Sequence, residues 1–217
     1  MPRAADDLPV LHDYWRSSAS YRVRIALNLK GIAYRAAPVD LLAGAHRSAD
    51  HLARNPQGAV PVLEIDGQRL TQSLAIIAYL DETRPTPPLL PADPAARARI
   101  RAIADAIAME IHPLCNLSVI NRIAALAGED ARLPWMQEHM TRGLAAVETL
   151  LAPLAGPRFA QGEAPGLAEC CLIPQLYNAR RWQLDPSVWP TIARIEAACA
   201  ALPAFLAAHP DRVRPNP

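Results

Sequence analysis

The sequence YWRSSASYRVRIALNLKG, at residues 14–31, contains the local pattern that decides the fold. Its apolar positions recur at the spacing of one helix face, and it closes on a glycine of the kind that often ends a helix. The residues just before the helical pattern, Val10–Tyr14, are typical of a short strand. We therefore predict a strand that leads directly into a helix at Ser18–Lys30.

Hydroxyl-bearing side chains are concentrated between this strand and this helix. Arg16 is followed by Ser17, Ser18 and Ser20. Hydroxyl groups and backbone N–H groups at a helix start form a natural site for an anion, and a thiolate is an anion. Two interpretations are open at this point: an anion site with a catalytic use, or one serine that caps the helix and does nothing else.

The N-terminal part alternates strands and helices in the order of a thioredoxin-like domain, which we place at residues 8–84. Asp66-Gly67 is a strong hairpin signal within it. The further predicted elements are a strand at Tyr34–Val39, a short helix or turn at His46–Arg54, hairpin strands at Val60–Ile65 and Gln68–Leu70, and a helix at Leu74–Glu82 capped by Ser73.

The closely spaced prolines of residues 85–93 predict a linker, because they fit neither a helix nor a central strand. The alanine-rich residues 94–210 predict an all-α domain. Pro113 must kink or break its first helical pattern, and Glu169 lies where it can cap the third helix. The predicted helices are Pro94–Ala127, Leu133–Leu151, Gly166–Arg181 and Pro190–Ala201, with a last turn at Ala204–His209.

Composition excludes several classes of function. The formal net charge of +1 gives no electrostatic reason to expect a nucleic-acid partner. No apolar run approaches the length of a membrane span, and the N-terminus lacks the apolar region of a signal peptide. The four cysteines form no Cys-x-x-Cys pair, and the six histidines lack metal-ligand spacing. We expect a reduced, cytoplasmic protein without a membrane or a metal.

Four segments carry the pattern of a known family, namely SSASYRVRIAL at 17–27, NPQGAVPVL at 55–63, QSLAIIAYL at 72–80 and IHPLCNLSV at 111–119. They resemble zeta-class glutathione transferases, which include maleylacetoacetate isomerases and maleylpyruvate isomerases. The resemblance covers nearly the whole chain after Leu8. It implies the glutathione transferase fold, with an α/β thioredoxin-like domain followed by an all-α domain, and it implies a homodimer.

The resemblance also implies glutathione as the cofactor, and the placement of cysteine agrees. A thioredoxin-like domain usually performs thiol chemistry, yet the first cysteine here is Cys115. Any reactive sulfur must therefore arrive on a cofactor. A helix N-terminus with hydroxyl donors can lower the pKa of a thiol. In the family the first serine of the run contacts the glutathione sulfur, so Ser17 is assigned that role, with Ser18 as the alternative that otherwise only caps the helix.

The other glutathione contacts follow from the resemblance alone. Val60 would pair its backbone with the cysteinyl part of glutathione, which requires a cis bond to Pro61. His46 would bind the glycyl carboxylate, or else be a solvated loop histidine, and His51 is expected at the surface. The glutathione-binding residues implied besides Ser17 are His46, Gln57, Val60, Pro61, Gln72 and Ser73.

The implied substrates are small dicarboxylic cis-enones, so cations are expected near the sulfur. Arg16 beside the serine and Arg181 are assigned to the substrate carboxylates, and Arg180 is interpreted as a surface ion-pair residue. His112 and Asn116, four residues apart on the predicted helix, would line the substrate site. His112 next to the helix-breaking proline could equally be structural.

The predicted function is a glutathione-dependent cis-trans isomerase acting on maleylacetoacetate or maleylpyruvate. Ala19 stands where many members have cysteine, which argues against reductive dehalogenation. Ser118 stands where the maleylpyruvate-type enzyme has arginine, which favours maleylacetoacetate. The alternatives are a general transferase that conjugates electrophiles and a non-catalytic protein that binds glutathione or another ligand.

Overall fold

The computed structural model describes residues 8–154 and 156–215. The described residues form two compact units, one made of 8–88 together with 203–215 and the other of 89–202. The last helices therefore group with the N-terminal unit. This differs from the sequence interpretation, in which the helical domain extends to residue 210.

The first unit contains a four-stranded sheet. Its strands are β1 (Val10–Asp13), β2 (Arg35–Pro38), β3 (Val62–Ile65) and β4 (Gln68–Thr71). The strand order is β2-β1-β3-β4, with β1 and β2 parallel and the other neighbours antiparallel. The turn between β3 and β4 has positive φ at both Asp66 and Gly67, as the Asp-Gly signal predicts. The α/β thioredoxin-like arrangement expected from the sequence is confirmed.

The helices of this unit are α1 (Ser18–Leu29), α2 (Ala49–Arg54), α3 (Ser73–Thr83), α9 (Pro203–Ala208) and α10 (Pro210–Val213). Apolar side chains of α1, α3 and the sheet form the core, where Leu11, Ile25, Leu63 and Ile76 are each fully buried. The predicted cap of α3 is wrong. Gln72 is the residue before the first turn, and Ser73 is the first helical residue.

Side chains of α1 explain why the C-terminal helices belong to this unit. Asn28 Nδ2 donates to Ala204 O at 2.9 Å, and Arg24 Nε donates to Ala208 O at 3.0 Å. These contacts join residues 176 and 184 positions apart in the sequence. Composition cannot reveal them, because the same alanine-rich pattern continues up to α9.

The second unit contains α4 (Pro94–Asp105), α5 (Leu117–Ala127), α6 (Arg132–Leu151), α7 (Leu167–Arg181) and α8 (Pro190–Ala200). The break expected at Pro113 is confirmed. The backbone changes to a π-helical turn at Ala106–Ile111 and to a 3-10 turn at Pro113–Cys115. A proline at this position removes a backbone donor and blocks the regular ladder, so α4 and α5 are separate helices.

The segment Pro94–Ala127 is long and apolar enough to cross a membrane by length and composition alone. The expectation that no apolar run approaches a span was therefore too strong. The segment is not one continuous helix, since its ladder is interrupted at Pro113. Ile103, Ile107 and Ile111 are buried within the helical unit, while 28% of the most apolar 18-residue window of the segment is buried.

The N-terminus of α7 is closed by a buried carboxylate, as the sequence predicts. Glu169 is 2% exposed, and its two oxygens accept from Gly166 N at 2.8 Å and from Ala160 N at 2.6 Å. Burial raises the pKa of the Glu169 carboxyl above its usual range, and the backbone donors oppose this change. Glu169 therefore fixes the start of α7 to the preceding loop.

Replacing Glu169 with glutamine should destabilise the protein by about 1–3 kcal/mol, because an amide can accept through only one oxygen. The folded protein binds the Glu169 proton more tightly than the unfolded chain does. The wild-type free energy of unfolding therefore falls as the pH rises above about 4.3, the ordinary glutamic acid value. Glutamine does not titrate, so the cost of Glu169→Gln should be largest at low pH. Urea unfolding across this range measures it, and a pH-independent cost would contradict the direction.

Candidate active site

Three chain segments meet at one end of the sheet in the first unit. In the antiparallel pairs, His12 of β1 lies opposite Val62 of β3, and Val62 lies opposite Thr71 of β4. The end of β1, the start of β3 and the end of β4 are therefore side by side. Each continues into a segment that the sequence analysis assigns to glutathione, namely residues 16–18, 60–61 and 72–73. The fold brings these separate motifs to one edge.

Ser17 is the N-cap of α1, and its geometry leaves a donor available. Its Oγ accepts from Ser20 N at 3.2 Å, and its own backbone N–H donates to Tyr14 O at 2.9 Å. A serine hydroxyl has one donor hydrogen in addition to its acceptor lone pairs. The cap uses only acceptor capacity, so the hydroxyl hydrogen can still point at an anion. The two interpretations of this serine are therefore compatible.

Ser18 does not cap the helix, contrary to the role allowed for it from the sequence. It is the first residue of α1 and is 8% exposed. Ser73 is also buried, and its Oγ accepts from Arg22 Nη1 at 3.2 Å, so a hydrogen bond joins the first turn of α3 to α1. The exposed Gln72 precedes it with a φ of +66°. A positive φ is uncommon for a residue other than glycine, and such residues cluster at ligand-binding positions.

Arg16 is half-buried beside the two aromatic side chains that follow β1. Its guanidinium carbon lies 5.5 Å from the centre of the Trp15 ring and 6.0 Å from that of Tyr14. Arg16 forms no ion pair with any residue that the structure describes. Its charge is therefore held next to Ser17 by ring contacts and is not neutralised by a carboxylate within the described chain.

The segment before β3 has the conformation that the family resemblance requires. The Val60–Pro61 bond is cis. The preceding carbonyl, Ala59 O, accepts from His51 Nε2 at 3.0 Å and from Asn55 Nδ2 at 2.9 Å. A carbonyl only accepts, so this contact assigns the His51 proton to Nε2. The expectation that His51 lies at the surface is wrong, because it is 3% exposed and supports this segment.

Gln57 and His46 are the remaining glutathione candidates of the first unit. Gln57 Oε1 accepts from Gln72 Nε2 at 2.8 Å, which links the segments before β3 and after β4. His46, in the 3-10 turn Ala45–Arg47, has a buried Nδ1 without a hydrogen-bond partner among the described residues. Burial, followed by the charge of Arg47, lowers the pKa of His46.

The remaining candidates lie in the helical unit. Asn116 is in extended conformation (φ −69°, ψ 151°) and precedes α5, so His112 and Asn116 do not have the i, i+4 relation of one helix that the sequence predicted. Arg181 ends α7, is exposed, and donates to Asn178 Oδ1 at 3.2 Å. Arg180 pairs with Glu196 at 2.7 Å, which confirms its interpretation as a surface ion-pair residue.

None of the four cysteines is suited to supply a thiolate. All are buried, and none forms a disulfide. Burial raises the pKa of the Cys115 thiol to about 11, and it raises that of Cys199 further. Cys170 and Cys171 are fully buried in α7. At neutral pH the sulfur for any thiolate chemistry therefore has to come from a bound molecule, in agreement with the argument from sequence.

Known proteins similar to this chain include maleylacetoacetate isomerases. Residues 10–82 match the family of the glutathione S-transferase N-terminal domain. The chain is 60% identical to a maleylacetoacetate isomerase of Rhizobium meliloti over 208 residues, which cover 95% of this chain and 98% of that protein. It is 46% identical to the maleylacetoacetate isomerase of Rattus norvegicus, with 96% and 95% covered.

Solved structures similar to this chain include maleylacetoacetate and maleylpyruvate isomerases. A maleylacetoacetate isomerase from Anaeromyxobacter dehalogenans, with glutathione in its active site, has 47% identity, a TM-score of 0.88 and coverage of 97% and 98%. The same protein was also solved with dicarboxyethyl glutathione and citrate in its active site. A zeta-class maleylpyruvate isomerase has 40% identity, a TM-score of 0.91 and coverage of 96% and 100%. The chain therefore belongs to the zeta-class glutathione transferase family of maleylacetoacetate and maleylpyruvate isomerases.

Proposed function

We propose that this protein is a glutathione-dependent cis-trans isomerase of the maleylacetoacetate type. The observation that carries the proposal is the geometry of Ser17, which caps α1 with its lone pairs and keeps a hydroxyl hydrogen for an anion. When bound, glutathione supplies a thiolate that adds reversibly to the cis double bond, which permits rotation, and is then released unchanged.

The residues present fit glutathione. His46 is proposed for the glycyl carboxylate, as the family resemblance implies. The backbone of Val60 follows the Ala59 carbonyl, which accepts from His51 and Asn55, and it suits an extended peptide. The start of α3 at Ser73 offers backbone donors to the γ-glutamyl carboxylate. A side-chain hydrogen bond joins Gln57 to Gln72, next to these positions in the sequence. The chain itself provides no accessible thiol that could replace the cofactor.

Ser17 and the first turn of α1 would hold the sulfur as an anion. A helix N-terminus and a hydroxyl donor both favour the charged form, so they lower the pKa of a thiol placed there. Ser18, buried at the first position of the helix, is the alternative donor. The protein would thereby contribute most of its effect through electrostatic stabilisation by groups already in position.

Arg16 would hold a substrate carboxylate and stabilise the negative charge that develops during the reaction. Arg16 directly precedes Ser17 in the sequence, and its guanidinium has no carboxylate partner in the described chain. The relative from Anaeromyxobacter dehalogenans binds dicarboxyethyl glutathione, whose added ethyl group carries two carboxyl groups, and also citrate. Arginine pairs with carboxylates through two parallel hydrogen bonds, which makes it suited to this role.

Arg181, His112 and Asn116 are proposed as substrate-binding residues, as the family resemblance implies. Arg181→Ala should raise the KM for the dicarboxylic substrate about tenfold or more, since one charge-assisted contact is lost, while the Kd of glutathione stays unchanged. Steady-state kinetics and calorimetric titration of glutathione measure the two quantities. Arg180→Ala is the matched control, because that guanidinium pairs with Glu196. A change in glutathione affinity with unaltered KM would contradict this assignment.

The proposal is tested by following the absorbance of maleylacetoacetate with purified protein, with and without glutathione. We expect conversion only with glutathione, and a lower kcat/KM for maleylpyruvate run in parallel. A stable conjugate with a generic electrophile, without isomerisation, would make the protein a general transferase. Glutathione binding without either reaction would make it a binding protein.

A homodimer and a cytoplasmic location are part of the proposal, by similarity to the family. Sedimentation equilibrium of the purified protein tests the first. Microscopy of the tagged protein, expressed at its natural level, tests the second.

A further inference from the structure

Arg24 is a buried charge to which the proposed function assigns no role. Its side chain is 1% exposed, in the middle of α1. Its guanidinium donates three hydrogen bonds. Asp13 Oδ2 accepts from Nη1 at 2.6 Å, Trp15 O accepts from Nη2 at 2.8 Å, and Ala208 O accepts from Nε at 3.0 Å. The guanidinium carbon also lies 5.3 Å from the centre of the Tyr21 ring.

A buried ion pair of this kind is weak evidence for stability. Removing two charges from water is costly, and well-packed apolar residues of similar volume often stabilise a protein as well or better. The contacts of Arg24 are directional, because a planar guanidinium fixes the angle between its partners. The pair of Arg24 and Asp13 therefore provides a defined geometry.

Arg24 contacts the loop between β1 and α1. Arg24 donates to the carbonyl of Trp15, which is two residues before Ser17. The Ser17 N–H donates to Tyr14 O at 2.9 Å. The Trp15 ring is contacted by Arg214, whose guanidinium carbon lies over the ring, 5.1 Å from its centre. Trp15 is thus fixed at its backbone by α1 and at its ring by the C-terminal segment.

We propose that Arg24 is a positioning residue for Ser17. Its guanidinium donates to both the Trp15 carbonyl and the Asp13 carboxylate at the end of β1, so it holds the loop next to the strand. A third hydrogen bond, to Ala208 O of α9, fixes the orientation of the guanidinium. The loop therefore delivers the Ser17 hydroxyl to the glutathione sulfur at one defined place. This inference rests on the proposed function for the thiol contact. A displacement of about 1 Å at such a contact can cost about a hundredfold in rate.

A purely structural role predicts a different result. If Arg24 served only to attach α9 to α1, the nearby Asn28 would be equivalent, since its Nδ2 donates to Ala204 O at 2.9 Å. Asn28 has no contact with the β1–α1 loop among its hydrogen bonds in the described chain. Asn28→Ala is therefore the matched control, because it removes an α1–α9 hydrogen bond and leaves the Trp15 contact intact.

The test compares Arg24→Lys, Asn28→Ala and wild type by two measurements. The first is the pKa of the bound glutathione thiol, from the ultraviolet absorbance of the thiolate. The second is hydrogen exchange of the amides of residues 14–20 in the ligand-free protein. Lysine keeps a positive charge for Asp13 but lacks the fork. We expect Arg24→Lys to raise the thiol pKa by about one unit, to lower kcat at least tenfold and to speed exchange in the loop.

Asn28→Ala should lower stability only and leave the thiol pKa, kcat and loop exchange as in wild type. If Arg24→Lys does not fold, the double variant Asp13→Leu with Arg24→Met replaces the buried pair by apolar groups and should show the same rise in thiol pKa. An unchanged thiol pKa in a folded variant overturns the inference. Absence of an ionised thiol in wild type would instead refute the proposed function.

Discussion

Ser17→Ala is expected to lower kcat by about 10²–10³-fold while it changes the Kd of glutathione only a few-fold. The hydroxyl is one donor aimed at a charge, and loss of one such donor typically costs this much in rate. The pKa of the bound thiol should rise in the same variant, because the thiolate loses its hydrogen bond. Stopped-flow turnover at saturating glutathione and thiolate absorbance measure the two effects.

The capping role of Ser17 complicates this variant and requires a control. Loss of an N-cap destabilises a protein by about 0.5–2 kcal/mol, whatever the site. Asp93→Ala removes the cap of α4 in the helical unit, where Asp93 Oδ2 accepts from Ala96 N at 2.7 Å. It should cost similar stability without the loss of turnover. Ser17→Thr keeps a hydroxyl and should restore part of kcat. Unchanged turnover in Ser17→Ala would transfer the thiol contact to Ser18.

Asp13→Asn is expected to lower the free energy of unfolding by about 3–5 kcal/mol, because it leaves the Arg24 charge buried without a counter-ion. The two side chains are 7% and 1% exposed, and their charged atoms are 2.6 Å apart. Asparagine has nearly the same shape as aspartate, so the effect reports charge and not volume. Urea denaturation of the purified protein measures it.

The exposed pair of Arg180 and Glu196 provides the comparison for Asp13→Asn. Its charged atoms are at a similar distance, 2.7 Å, but the side chains are 49% and 24% exposed. Glu196→Gln should therefore cost less than about 1 kcal/mol, since water screens such pairs. Equal costs for the two variants would show that burial does not control the strength of the Arg24 pair.

Local patterns in the sequence predicted the thioredoxin-like unit well. Strand and helix periods, the Asp-Gly hairpin and the serine-rich start of α1 are properties of neighbouring residues, so they can be read without the fold. The cap assignments were less successful. Ser17 and Ser18 are both plausible caps by residue type, and only the φ and ψ angles of Ser17 (−68° and 123°) identify it as the residue outside the helix.

Features that depend on distant contacts could not be predicted. The support of Ala59 O by His51 joins residues of a helix and a loop, and no spacing rule indicates it. The attachment of α9 to α1 through Arg24 spans most of the chain. The relation of His112 to Asn116 was wrong because the effect of Pro113 extends beyond a kink and replaces one helix by a π turn, a 3-10 turn and a new helix.

The most direct test of the account is the balance of glutathione over a complete reaction. Maleylacetoacetate in large excess over glutathione is incubated with the protein, and free thiol is titrated before and after all substrate is consumed. We predict complete conversion to the trans isomer with the glutathione thiol fully recovered, since the bound thiolate is returned in each turnover. Loss of one thiol for each substrate molecule consumed would contradict the account.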